Sequence, residues 1–146
     1  MPAETMLFPA LPEPLRALYR LWADRDRPAR ADFPFAVLKP WLGHLALLDC
    51  AGGGFRFRLC GTELIPRFTR EATGLGVGAL APDLRRGVEP VLEDARGHGR
   101  PACANARVDF EARCIEYCDL ALPLFDGHGA VAELLFGSYA VRQVRP

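Results

Sequence analysis

The chain has 146 residues, half of them hydrophobic and a quarter charged, which is the length of one domain and excludes both a disordered chain and a membrane span. Eighteen basic residues cancel eighteen acidic ones, so no net field draws in nucleic acid or an anionic membrane, and neither is expected as a partner.

The opening MPAETMLFPALPEP has no positive segment followed by an apolar run, so it predicts no secretory signal and a cytoplasmic location. Cys50, Cys60, Cys103, Cys114 and Cys118 are odd in number and lack an export signal, which argues for reduced thiols.

Leu15, Leu18, Tyr19 and Trp22 fall at the i, i+3, i+4, i+7 positions of one helix face, with Arg16, Arg20 and Asp24 elsewhere. This predicts an amphipathic N-terminal helix, with Pro14 in its first turn and the charged run DRDRPARAD ending it. A short helix is expected over Pro34 to Trp41, limited by Pro40. The run HLALLDC, a glycine triplet at 52–54, and Phe55, Phe57 and Leu59 alternating with Arg56, Arg58 and Cys60 read as a hairpin.

In GTELIPRFTREATG, Thr62 is a candidate cap for a short helix on which Ile65 and Phe68 share a face, with Pro66 near its start. GLGVGAL reads as irregular connection; it follows a helix and lacks a Walker lysine, so it is no phosphate cradle. Leu84, Val88, Val91, Leu92 and Ala95 form a second helical stripe stopped by GHGRP. Three strands follow: an alternating one through Ala104, Ala106, Val108 and Phe110, then IEYCDLALPLF, then AVAELLFGSYAV after the turn DGHG.

The connections at the glycine triplet, near Ala112 and at DGHG are too short for parallel crossovers, so the sheet must be antiparallel with its helices on one side. The fold class is α+β. In the last strand Val131, Leu135, Tyr139 and Val141 lie on one face and Ala132, Leu134, Phe136 and Ala140 on the other. Both faces of the sheet therefore need cover, from the N-terminal helix, a second subunit, or both.

Two strands, short helices, a longer helix and a three-stranded meander form the element order of the PAS domain. The segments WLGHLALLDC, FRFRLCGTELIPRFTREATG and LPLFDGHGAVAELLFGSY resemble a small bacterial family of standalone PAS-like proteins. There a strand ending Arg-x-x-Gly-Thr runs into a helix closing near Thr-Gly, here Arg58, Gly61, Thr62, Thr73 and Gly74. The resemblance implies a single domain over residues 1–146, with an N-terminal helix and linker over 1–30 and a PAS-like core of five antiparallel strands over 44–142. It also implies a sensory, signal-transducing role: binding a small-molecule ligand between sheet and helices, or dimerising, and passing the signal to a signalling protein in trans.

Under that reading the apolar residues expected to line a pocket are Leu47, Phe57, Leu59, Ile65, Phe68, Leu122, Leu124 and Phe136, the alternative being ordinary filled core. His44, Arg58 and Cys60 are candidate polar contacts, and Leu15, Leu18, Tyr19 and Trp22 a candidate homodimer interface. Cys60 is a nucleophile only with a base beside it and otherwise a buried thiol. Arg56 and Arg58 are expected to pair with Asp109 and Glu111 across the sheet, or else to face the cavity and select an anion. His98 and His128 sit in glycine turns, which disfavours haem, and no Asn-Cys-Arg-Phe-type motif is present, which disfavours a flavin adduct; the cofactor stays unknown.

Cys114 and Cys118 are no metal pair if they lie on a strand. Four strand residues span roughly 13 Å, whereas two thiolates on one zinc approach within about 4 Å. No spacing fixes an acid–base pair among Asp49, Glu63 and Asp119, so no catalytic residue is assigned. A small α+β enzyme using the same cavity, and a scaffold with a filled core, remain the alternatives.

Overall fold

The computed structural model describes residues 11–144; the part of the opening segment before Leu11 lies outside them. Helix α1 (Glu13–Ala23) leads through a 3-10 turn at Arg30–Asp32 to α2 (Phe35–Leu38) and a second 3-10 turn, Lys39–His44. Strands β1 (Leu45–Asp49) and β2 (Arg56–Cys60) form the first hairpin. Short α3 (Ile65–Phe68) and long α4 (Pro82–His98) follow, then β3 (Ala102–Phe110), β4 (Arg113–Phe125) and β5 (Val131–Val144).

The five strands make one antiparallel sheet in the order β2-β1-β5-β4-β3. The final strand is therefore its centre, and β2 and β3 are its edges. Residues of the glycine-rich connection cover one edge: Phe57 N donates to Leu75 O at 2.8 Å and Gly74 N to Phe57 O at 2.7 Å. Placing β2 and β3 at opposite edges overturns the expected pairing of Arg56 and Arg58 with Asp109 and Glu111. Arg58 pairs instead with Asp49 of its own hairpin, and Arg56 donates to Gly74 O at 3.0 Å.

The sheet is packed on both faces. On the outer face Leu45, Leu47, Cys118, Leu120, Leu122, Leu124 and Leu135 meet Leu15 and Leu18 of α1 together with Phe33 and Leu38. Leu15 and Leu18 are fully buried, and Tyr19 and Trp22 pack partly buried against the same cluster. This corrects the expectation of a subunit interface at Leu15 and Leu18, which are spent inside the chain because the outer sheet face is as apolar as the helix, while Tyr19 and Trp22 keep part of their surface exposed. Trp22 Nε1 fastens α1 by donating to Pro123 O at 2.7 Å.

Gly137, in the middle of the central strand, explains how closely the helix docks. A Cβ there would stand 2.7 Å from Leu15 Cδ2, so a strand position that ordinarily favours a bulky residue is left bare. Gly61 has a similar role where β2 leaves the sheet, since its Cβ would come within 2.3 Å of the Leu42 and Gly43 carbonyl oxygens. The Gly-Thr step in the sequence is thus a backbone crossing. Thr62 opens a 3-10 turn with no side-chain capping bond, so it is no cap, and α3 ends at Phe68, before the Thr-Gly pair.

The inner face packs against the remaining helices. Phe57, Phe68 and Phe136 stack in tilted pairs with centroids 5.2 and 6.1 Å apart. Val88, Val91, Leu92 and Ala95 of α4 close over Ala102, Ala121 and Leu134. Val131 packs against this inner cluster rather than with Leu135, because the ladder shifts register at Leu124/Phe125, opposite the start of β5.

Candidate functional site

The eight residues expected to line one pocket are divided by the sheet. Phe57, Phe68 and Phe136 face inward; Leu47, Leu122 and Leu124 face outward, Leu59 packs with them, and Ile65 is exposed. No single cavity is lined by all eight. The physical reason is that the sheet is apolar on both faces, so hydrophobicity cannot say which way a residue points. A register shift between Leu47 and Leu48 adds to this by sending Leu59 to the face opposite Phe57.

The polar candidates are also separated. Cys60 belongs to the inner cluster, where burial pushes its thiol up to about 11, which keeps it protonated and poorly nucleophilic at neutral pH. His44 lies on the outer side, its ring stacked 4.0 Å from Tyr139 and its Nδ1 3.2 Å from Ser138 O. It offers Cys60 no base. Arg58 is largely exposed. Among the described residues no group of three or more His, Cys, Asp or Glu is placed to hold a metal ion.

The chemistry gathers at three residues not assigned to the site. Arg67 of α3, Asp119 of β4 and Ser138 of β5 are 0%, 0% and 1% exposed. Asp119 and Ser138 are paired across the β4–β5 ladder. Arg67 Nη2 donates to Asp119 Oδ2 at 2.8 Å, and the Ser138 hydroxyl donates to Asp119 Oδ1 at 2.6 Å. With each carboxylate oxygen taken by a different donor, the arginine gets one strong bond instead of the two-bond fork that it can form. Its second bond, Nη2 to Gly87 O, is long at 3.4 Å. Nε is buried and has no hydrogen-bond partner.

Burial pushes the Asp119 carboxyl above its ordinary value, while the Arg67 charge and the hydrogen bonds from Arg67 and Ser138 pull it back. The Phe68 and Tyr117 rings flank the guanidinium, with Cζ 5.2 and 5.4 Å from their centroids, which supplies cation–π attraction in place of water. The sequence reading gives Arg67 no role. In a four-residue helix periodicity has no length in which to show the buried side. Asp119 and Ser138 did leave a signal, each being a lone polar group within an apolar strand, CDLAL and FGSYA.

Arg67 also stands in the wall of a cleft of about 500 Å³ between the start of α4 and β3, together with Thr69, Leu84, Gly87 and Val108. That volume is within the range of small-molecule sites. Thr69 at its edge holds φ at +61°, a left-handed conformation that a β-branched residue adopts at a cost. Under α2 on the outer face, the corresponding space beside Phe33 and Leu47 is about 10 Å³, room for about one water.

Solved structures share this architecture. A light-oxygen-voltage domain studied with a flavin analogue is 15% identical, with 77% of this chain and 88% of that one covered and a TM-score of 0.56. This is a PAS-like fold. A light-oxygen-voltage protein from Rhodobacter sphaeroides matches at 15% identity over 87% of this chain and 68% of that one, with a TM-score of 0.51. A sensory box sensor histidine kinase from Vibrio cholerae matches at 10% identity over 91% and 98%, with a TM-score of 0.50. No family model and no curated protein matches the sequence.

Proposed function

We propose that this PAS-like chain is a sensory or regulatory module rather than an enzyme. It binds a small ligand in the cleft between α4 and β3 and signals to a partner protein in trans. The observation that carries the reading is the pairing of that cleft with the buried Arg67–Asp119–Ser138 cluster. A protein keeps a buried charge with an unfilled donor at measurable cost, and such cost is commonly met at functional sites. The cluster also ties α3 to β4 and β5, so a ligand at Arg67 touches the sheet through a polar lever. Against catalysis stand the separation of His44 from Cys60 and the high thiol value of Cys60.

Native mass spectrometry of the purified protein tests the reading. A retained small molecule, lost on Gly87→Leu, supports it; retention unaffected by that variant sends the ligand elsewhere, and turnover abolished by Cys60→Ala replaces the sensor with an enzyme. We also propose a homodimer, which must use surface other than Leu15 and Leu18 while α1 stays docked. Light scattering showing a monomer at micromolar concentration retires it.

A further inference from the structure

The two edges of the sheet are treated differently. Along β2 the backbone of residues 74–77 bonds to Phe55 and Phe57 and closes that edge. Beyond β3 there is no further strand, and among the described residues no backbone hydrogen bond from outside the sheet reaches Ala102–Phe110. The strand is nine residues long, pairs with β4 without a register shift, and contains no proline or lysine. Of the devices that usually block edge pairing, a bulge, a proline or a lysine, it has none. Its charges are Arg107 and Asp109, which cancel.

The groups left open on that edge can be counted from the turn. Glu111 and Ala112 alone join β3 to β4, and Phe110 faces Arg113, so these two residues exchange the closing hydrogen bonds of the hairpin. Alternation then turns the N–H and C=O groups of Cys103, Asn105, Arg107 and Asp109 away from β4 and toward the free edge. Arg107 and Asp109 are exposed, lie beside the Cys114 thiol, and have no ion-pair partner among the described residues.

A second copy of the strand, antiparallel about a two-fold axis at Val108, meets the backbone groups and the charges together. Arg107 then faces Asp109 of the partner subunit, and Asp109 faces Arg107 of the partner subunit. Each such pair exchanges two backbone hydrogen bonds with its Cα atoms about 5.5 Å apart, close enough for the opposite charges to attract. On the other face Ala106 meets Phe110 of the partner subunit, small against large. Moving the axis to Arg107 or to Asp109 sets like charges opposite, and moving it to Ala106 sets Arg107 against Asn105. Of these registers only the one at Val108 pairs both charges.

We infer that the homodimer forms by pairing β3 with β3 of a second copy about an axis at Val108, which joins the two sheets into one. This rests on the homodimer reading above and names its surface. Arg107, Val108 and Asp109 also border the cleft between α4 and β3, so a ligand in that cleft lies against the dimer contact.

Charge reversal tests the register. Arg107→Asp sets two carboxylates against two carboxylates, and Asp109→Arg sets two guanidinium groups against two. Each should raise the dimer dissociation constant, read by sedimentation equilibrium, by about tenfold or more. An equimolar mixture of the two variants pairs opposite charges at both positions and should recover the wild-type affinity as a heterodimer; the double variant Arg107→Asp/Asp109→Arg should recover it as a homodimer. In the wild type, the amide hydrogens of Arg107 and Asp109 should exchange more slowly as dimer than as monomer, while those of Ala106 and Val108, bonded to β4 in both states, change less.

A wild-type monomer at micromolar concentration overturns the homodimer and this inference together. A dimer that neither variant weakens, variants that mixing does not rescue, or exchange at Arg107 and Asp109 that is indifferent to dimerisation overturns the β3 pairing and leaves a homodimer on another surface.

Discussion

The two faces of one sheet are finished differently. On the outer face α1 docks closely on Gly137, and beneath α2 only about 10 Å³ of space remains beside Phe33, in a wall that is apolar apart from Arg30. The helix-side face is closed in the same manner around Phe57, Phe68 and Phe136. Toward β3 it ends in an ion pair, an unfilled donor and an open cleft. The lesson is that apolar packing marks where the fold is held, and the departure from it marks the place we propose for a ligand.

Breaking the polar end should cost most. Asp119→Leu leaves Arg67 buried without a countercharge and is expected to lose about 3–5 kcal/mol in urea denaturation. Adding Arg67→Met should recover most of that loss, since a buried pair replaced by apolar groups of similar volume is often neutral. A double variant as unstable as the single one would mean that the cluster is valued for its packing and not its charge.

On the outer face, Gly137→Val drives methyl groups into Leu15 and should cost about 1–3 kcal/mol. Its α1 residues should also exchange their amide hydrogens faster, while those of α4 are unaffected. At the cleft edge the effect reverses in sign: Thr69→Gly relieves a left-handed threonine and is expected to gain up to about 1 kcal/mol, read as a higher urea midpoint.

The smallest effect is on pH dependence. Because burial raises the Asp119 carboxyl above its ordinary 3.8, the native state holds that proton more firmly than the unfolded chain does. Its contribution to stability is then full below 3.8 and declines as pH rises through the window up to the raised value. The stability difference between the wild type and the Arg67→Met/Asp119→Leu double variant should therefore fall with rising pH across the acid range. A difference that grows with pH would mean a carboxyl held below 3.8.

The fold was legible in the sequence, and the site was not. The glycine turn, the α4 stripe and the short meander connections left one antiparallel topology, because each rests on local geometry that the chain cannot evade. Assigning pocket residues needed to know which face each strand residue takes, and Leu47, Leu59, Leu122 and Leu124 carry no mark that separates outer core from inner. Arg67 was hidden for the opposite reason: a charged residue in a short helix reads as solvated, and only the strands that bring Asp119 and Ser138 opposite it reveal its burial.

The most direct test of the account is to map, by amide chemical shifts, the difference between the protein as purified and the same protein dialysed to strip any small molecule that it carries. The account predicts shifts concentrated at Thr69, Leu84, Gly87 and Val108 and at the Arg67 side chain, with α1 and Leu47 unmoved. Shifts centred on Leu47, Leu124 and Leu135 beneath α2, with the Arg67 cluster silent, would contradict it.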